Sequence, residues 1–347
     1  MERKELDAKI NNSIDGIYLF YGQNKYFMDQ TISKIKKSFG DIIVGLNFIQ
    51  LDASNVDSLI DNIEIPAFGF SKKLIIVKDS NLFPVSKKKK EDSEKEDAKE
   101  EKKNKKADQI AEYIDKHYED IIETNIVIFV EEAVSNNKLF KTINEKGIVV
   151  EYKDLTPEES ISYIKGIIKH FPVKMSDINI RYFVEVVGTD SFTINNELAK
   201  QVYCNLNGEI TKKSIDTLAT KNMESVIFDL TNAMGTKNAK QALEILDNLL
   251  SQKIDFVVIL PFTYSTLKKI YYTKLAIKEK VPLAPLLDLK AGTAFLERKY
   301  KEQSSLFKES ELRMILDELI RLDDNYKAGL IDPKIGFESI ISRYCSK

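Results

Sequence analysis

The hydrophobic period of this chain changes once, near residue 152, and that change separates two kinds of folding unit. Before it, short apolar runs alternate with stretches whose apolar residues recur every three to four positions. Ile17-Tyr18-Leu19-Phe20-Tyr21 and residues 46–51, 74–77, 126–130 and 148–150 read as buried strands. Residues 24–39, 56–63 and 109–121 carry helical spacing, and Ser135 is placed to cap another helix bearing Leu139 and Ile143. Regular alternation of strand and helix requires crossover connections, hence a mainly parallel sheet covered on both faces. Residues 86–107 interrupt the pattern. Nearly all are Lys, Glu or Asp and the apolar exceptions are Ala98 and Ala107, so the segment reads as a disordered or frayed-helical insertion. Its lysines at 87–90 suit a phosphate contact or sorting signal on one reading and a solvated loop on the other.

Beyond residue 152 the period is helical throughout. Thr156-Pro157-Glu158-Glu159 supplies a cap, a proline in the first helical position and acids in the first turn. A second helix runs from Ser176 to a stop at Gly188, a third starts at Thr193, and a short fourth covers 212–218. From Glu224 onward, longer amphipathic stretches follow. One spans 255–280 with Pro261 as an expected kink, another begins near Pro282, and one carrying Leu312, Ile315 and Leu319 ends at Gly329. Such helices with short connections make a bundle. The expected fold is an α/β N-terminal domain (1–152) followed by two all-α domains, a small helical domain (153–220) and a helical bundle (221–347).

Composition removes several function classes. Lys+Arg number 52 against 54 Asp+Glu, a net charge of -2, which argues against a chain built mainly to coat nucleic acid. No apolar run approaches the ~20 residues of a membrane helix. Met1-Glu2-Arg3-Lys4-Glu5 has no apolar run behind it, so no secretory signal is expected and the location is expected to be cytoplasmic, with no membrane partner. Two cysteines, Cys204 and Cys345, exclude a disulfide framework and a cysteine-based zinc site. Two histidines, His117 and His170, make a multi-histidine metal centre improbable, and neither belongs to a recognisable catalytic constellation.

The first strand ends at Gly22, where a nucleotide-binding α/β domain places its phosphate loop. Such a loop needs Gly-Lys-Ser/Thr at its end, so that backbone N–H groups and an ammonium surround the phosphates. This chain has Phe27, Met28 and Asp29 there. A ring would clash and a carboxylate would repel, so neither catalysis nor a nucleotide cofactor is expected. Glu131-Glu132 after residues 126–130 reads as a core strand emerging into solvent. The unusual segment is Glu64-Ile65-Pro66-Ala67-Phe68-Gly69-Phe70-Ser71-Lys72-Lys73, two aromatics around a glycine between a helix and a strand. Both rings pack beneath the strand on one reading. On the other they form an exposed plug for a partner's pocket. Burying both is worth about 3–6 kcal/mol, and nanomolar binding needs roughly 12, so a plug of this kind anchors a larger interface. Residues 264–280 interleave lysines with tyrosines. Lys268, Lys269, Tyr271, Tyr272 and Lys274 suit a nucleic-acid backbone with base stacking, although a basic solvent face is the commoner explanation.

Taken together, these stretches resemble the delta subunit family of the bacterial DNA polymerase III clamp loader. The likeness is carried by Ile17-Tyr18-Leu19-Phe20-Tyr21-Gly22, by residues 66–77, by Asn195-Asn196-Glu197-Leu198-Ala199-Lys200, by Met223-Glu224-Ser225-Val226-Ile227-Phe228-Asp229-Leu230 and by Leu322-Asp323-Asp324-Asn325-Tyr326-Lys327-Ala328-Gly329. The resemblance implies an AAA+-type α/β domain without ATPase activity, a helical lid and a helical collar for oligomerisation. It further implies binding and opening of the beta sliding clamp, with gamma/tau and delta-prime subunits as partners and primed DNA reached through the complex. Phe68 and Phe70 become the candidates for the clamp's pocket, with Pro66 and Gly69 shaping the loop. Family members show adjacent bulky residues here, whereas Gly69 separates the two rings. An active AAA+ ATPase and an inert scaffold of another replication or repair assembly are the alternatives.

Overall fold

The computed structural model describes residues 3–10, 14–84, 94–287 and 294–346, which divide into compact units Met1–Asp154 and Leu155–Lys347. In the first unit five strands, β1 (Gly16–Tyr21), β2 (Phe48–Leu51), β3 (Lys73–Lys78), β4 (Asn125–Glu131) and β5 (Ile148–Glu151), form one sheet in the order β2-β3-β4-β1-β5. Every pairing is parallel. The strands are near-continuous apolar runs because both faces are covered. On one face Ile17, Leu19, Ile75, Val77, Val127 and Phe129 pack with α3 (Leu59–Glu64), α4 (Glu94–Thr124) and α5 (Lys138–Lys146). The alternate residues Tyr18, Phe20, Ile76 and Ile128 are equally buried and point to the other face. That side is left to α1 (Arg3–Ile10) and α2 (Lys25–Phe39), which touch each other and bury Leu6, Ile10, Ile32 and Ile35 outside the first cluster.

Three local expectations need correction, and one open reading is resolved in part. Residues 94–107 belong to α4, the helical of the two readings their composition allowed. Lys, Glu and Ala favour helix, and the stretch runs unbroken into the buried stripe of Ala107, Ile110, Ala111 and Ile114. Residues 86–93, the remainder of that segment with its lysine run, lie outside the described residues. Asn137, not Ser135, caps α5, its side chain accepting from Phe140 N at 3.0 Å. Leu46 precedes β2 and is exposed.

The second unit is helical. Helices α6 (Pro157–Ile168), α7 (Asp177–Val187), α8 (Ser191–Cys204) and α9 (Lys212–Leu218) share a core of Ile164, Phe183, Ile194, Leu198 and Ile215. Thr156 and Glu159 close the expected capping box at α6. The third correction falls at α8, which starts two residues before Thr193. Asp190 is its cap and accepts from the Thr193 amide and hydroxyl at 2.7 and 2.6 Å. A separate core formed by Leu230, Leu246, Ile259, Leu267, Ile315 and Phe337 belongs to α10 (Met223–Gly235), α11 (Ala239–Ser251), α12 (Phe256–Glu279), α15 (Glu309–Lys327) and α16 (Pro333–Cys345). Short α13 (Leu283–Leu286) and α14 (Ala294–Ser305) complete that part. Pro261 lies inside α12.

Candidate functional site

The crevice at the end of β1 is built, but its own chain fills it. In this strand order the β1–α2 turn stands where the sheet's connections diverge, the place an α/β fold offers a ligand. Gly22 adopts φ +133°, and a Cβ added there would lie 2.3 Å from the carbonyl oxygen of Tyr152. Several amides of this turn are engaged within the chain. Gly22 N donates to Glu131 O at 3.2 Å, Asn24 N to Tyr152 O at 3.0 Å and Phe27 N to Asn24 Oδ1 at 3.2 Å. Phe27 and Met28 are buried in the core instead of facing the crevice. Among the described residues no cluster of three His, Cys, Asp or Glu is arranged to hold a metal ion.

Beside this turn, Glu131 is buried rather than emerging into solvent. Its carboxylate accepts from Ser80 N at 2.9 Å and from the Ser80 hydroxyl at 2.5 Å, tying the loop after β3 to the end of β4. Burial pushes its pKa above the ordinary 4.5, a rise that the Ser80 hydrogen bonds only partly offset. The folded state therefore holds this proton at pH values where the unfolded chain has released it. Between 4.5 and the raised folded value, stability falls as pH rises. Glu131→Gln retains an acceptor for Ser80 and removes the titration. Its effect measured against wild type should therefore be more favourable at pH 7 than at pH 4. Parallel urea titrations at the two pH values check this, and an equal effect at both refutes it.

The aromatic segment lies at the opposite end of the sheet, where the chain enters β3. Ile65 N donates to Asp61 O at 3.0 Å and closes α3. The chain then turns through Ala67-Phe68-Gly69-Phe70, with Phe70 N donating to Ala67 O at 3.0 Å. Gly69 takes φ +81°, the left-handed conformation that the third position of a type II turn requires. Phe68 at the crown is 81% exposed, Ile65 is 59% exposed, Pro66 is exposed and Phe70 is half-buried. The two readings of the rings are therefore divided between them: Phe68 projects and Phe70 packs partly inward.

What makes the turn rigid is its stem. Lys73, the first residue of β3, is 2% exposed, and its ammonium donates to Asn62 O at 2.6 Å and also to Ile65 O. It thus satisfies carbonyls at the C-terminus of α3, where a positive charge is favourable. Burial depresses its pKa. Asn125 Nδ2 donates to Ile63 O at 3.1 Å, and Lys72 bonds Ile122 O at 2.8 Å and pairs with Asp15. The role of these lysines is not apparent from their place in the sequence, where they only flank the aromatic segment. The available signal was a lysine opening a strand whose next four residues are apolar.

The lysine–tyrosine stretch on α12 is not brought together as one surface. Lys274 donates to Ser304 O at 2.9 Å, and Tyr271 accepts from Arg313 Nε at 2.8 Å. Lys269 lies 6.0 Å from the buried Tyr300 ring. Lys268 and Tyr272 share an outward face, the ammonium 5.6 Å from the ring.

Two family models match this chain: DNA polymerase III, delta subunit, over residues 18–153, and DNA polymerase III delta subunit, C-terminal domain, over residues 224–344. The chain belongs to the DNA polymerase III delta subunit family. The delta subunit of DNA polymerase III from Bacillus subtilis (strain 168) is 23% identical over 331 residues, covering 93% of this chain and 90% of that protein. The solved structure of the Bacillus subtilis DNA clamp loader delta protein superposes with a TM-score of 0.59 at 20% identity, covering 99% of both chains. That likeness establishes the delta-type fold, a parallel α/β unit followed by helical domains. No helix among the described residues is long and apolar enough to cross a membrane.

Proposed function

We propose that this chain is the clamp-opening subunit of a bacterial clamp loader. It inserts Phe68 into a hydrophobic pocket of the beta sliding clamp and holds one interface of the ring open while primed DNA enters. One observation carries the reading: in a chain of the delta family, an aromatic side chain 81% exposed stands on a turn whose base is fixed by Lys72, Lys73 and Asn125. Phe70 supports the crown from below, Gly69 supplies the turn and Pro66 stiffens the approach.

The chain's own part is binding and positioning. With the Tyr152 backbone packed against Gly22, the energy of ATP enters through the gamma/tau neighbours of an assembly that also holds delta-prime, and it controls whether the Phe68 turn is accessible. Residues 1–152 form the AAA+-like domain, 153–220 the lid and 221–347 the collar that joins the other subunits. Lys268 and Tyr272 are the members of the α12 stretch best placed to meet DNA, since Tyr271 and Lys274 are held by α15 and α14. The test is calorimetric titration of the full chain into its own sliding clamp, paired with clamp release from circular DNA. Binding together with release supports the reading. No binding by the wild-type chain refutes it.

A further inference from the structure

Among the described residues of the α/β unit, the exposed large apolar side chains are Ile43 (49%), Val44 (79%), Leu46 (38%), Ile65 and Phe68. All five lie in two loops, 41–47 and 65–72, and these loops enter adjacent parallel strands at the same end of the sheet. The register pairs Phe48 with Leu74, so Leu46 and Lys72 stand at equivalent steps just before the ladder. The end of the first loop is tied to the strand that the second one enters, Leu74 N of β3 donating to Asn47 O at 2.8 Å. Neighbouring strands run about 5 Å apart. A surface that receives one loop therefore meets the other.

Loop 41–47 is fixed in advance, as the Phe68 turn is. Asn47 is 1% exposed; its Oδ1 accepts from Ile43 N at 2.7 Å and its Nδ2 donates to Asp41 O at 2.7 Å. Leu46, Asn47 and Phe48 all donate backbone bonds to Ile43 O, and Gly45 N donates to Phe48 O at 3.0 Å. A buried asparagine thus holds three apolar side chains outward, an arrangement that contributes nothing to the core. Scattered exposed apolar residues need no explanation, but confinement of all of them to one edge marks a contact surface.

We infer that Ile43, Val44 and Leu46 form a second contact with the sliding clamp, on the rim of the pocket that takes Phe68. The inference rests on the clamp-binding reading above. The clamp is the occupant because the surface is continuous with the Phe68 turn, and because one turn falls far short of the 20–30 residues a stable interface uses on each side. An apolar centre of this kind is where such interfaces concentrate their binding energy.

The experiment compares clamp binding by the full chain for wild type, Phe68→Ala, the single variant Val44→Asp and the triple variant Ile43→Ser/Val44→Ser/Leu46→Ser. Thermal melts show that each retains its fold, and the single exposed substitution gives a reading should the triple variant melt early. Val44→Asp is expected to weaken binding about tenfold, a change of about 1.4 kcal/mol, with the triple variant weaker still. If both loop variants bind as wild type while Phe68→Ala does not, the second contact is overturned and the clamp reading stands. If the loop variants bind the clamp normally but fail to join the other loader subunits, the surface belongs to a different interface and the inference is again overturned. Absence of binding by wild type overturns both.

Discussion

Replacing Phe68 by alanine is expected to raise the dissociation constant for the sliding clamp by about 30- to 300-fold. Truncating a central aromatic anchor costs about 2–3.4 kcal/mol, and each 1.4 kcal/mol is a factor of ten. The melting temperature should not move, because Phe68 is 81% exposed and contributes little to the core. Phe70→Ala should behave differently. That ring is half-buried, so part of its loss appears as lower stability of the free chain and less as lower affinity. Titration calorimetry with thermal melts of the same samples separates the two residues. Wild-type affinity in the Phe68 variant would remove this residue from the interface.

Gly22→Ala should be among the more destabilising substitutions in the α/β unit, lowering unfolding free energy by about 3–5 kcal/mol. Two costs add. A residue with a Cβ at φ +133° is strained by about 1–3 kcal/mol. The new methyl also lies 2.3 Å from the Tyr152 carbonyl oxygen, a backbone atom that cannot swing aside like a flexible side chain. Relieving the clash moves Tyr152 and with it the hydrogen bonds Asn24 N–Tyr152 O and Tyr152 N–Tyr21 O that fasten the chain after β5 to the sheet. Urea denaturation monitored on the α/β unit measures the change. A variant within 1 kcal/mol of wild type would mean that the close approach carries no weight.

The sheet was legible in the sequence because short, near-continuous apolar runs bounded by helical spacing leave few alternatives, and the strands at 17–21, 74–77 and 126–130 fall where expected. Two helix starts were misplaced because serine, threonine, asparagine and aspartate compete as caps within a few residues. Asn137 and Asp190 take that role in place of Ser135 and at Thr193's expense. The charged stretch before Ala107 was left between disorder and a frayed helix because composition measures average polarity, whereas its continuity with the buried stripe of α4 depends on what the helix packs against. Of the candidate site, the aromatic pair was visible, but not which ring points outward. That depends on the turn at Gly69 and on Lys73 reaching back under α3, a tertiary contact with no local signature. The α12 lysines illustrate the converse. Their spacing suggested one surface, and hydrogen bonds to α14 and α15 divide it.

The stem beneath Phe68 has a thermodynamic consequence. Lys73, Lys72 and Asn125 fix the turn when the protein folds, so the conformational entropy of ordering it is spent before a partner arrives. Association then proceeds close to rigid-body docking. The heat-capacity change on binding should match the apolar area of the contact alone, without the larger negative increment that accompanies a segment folding as it binds.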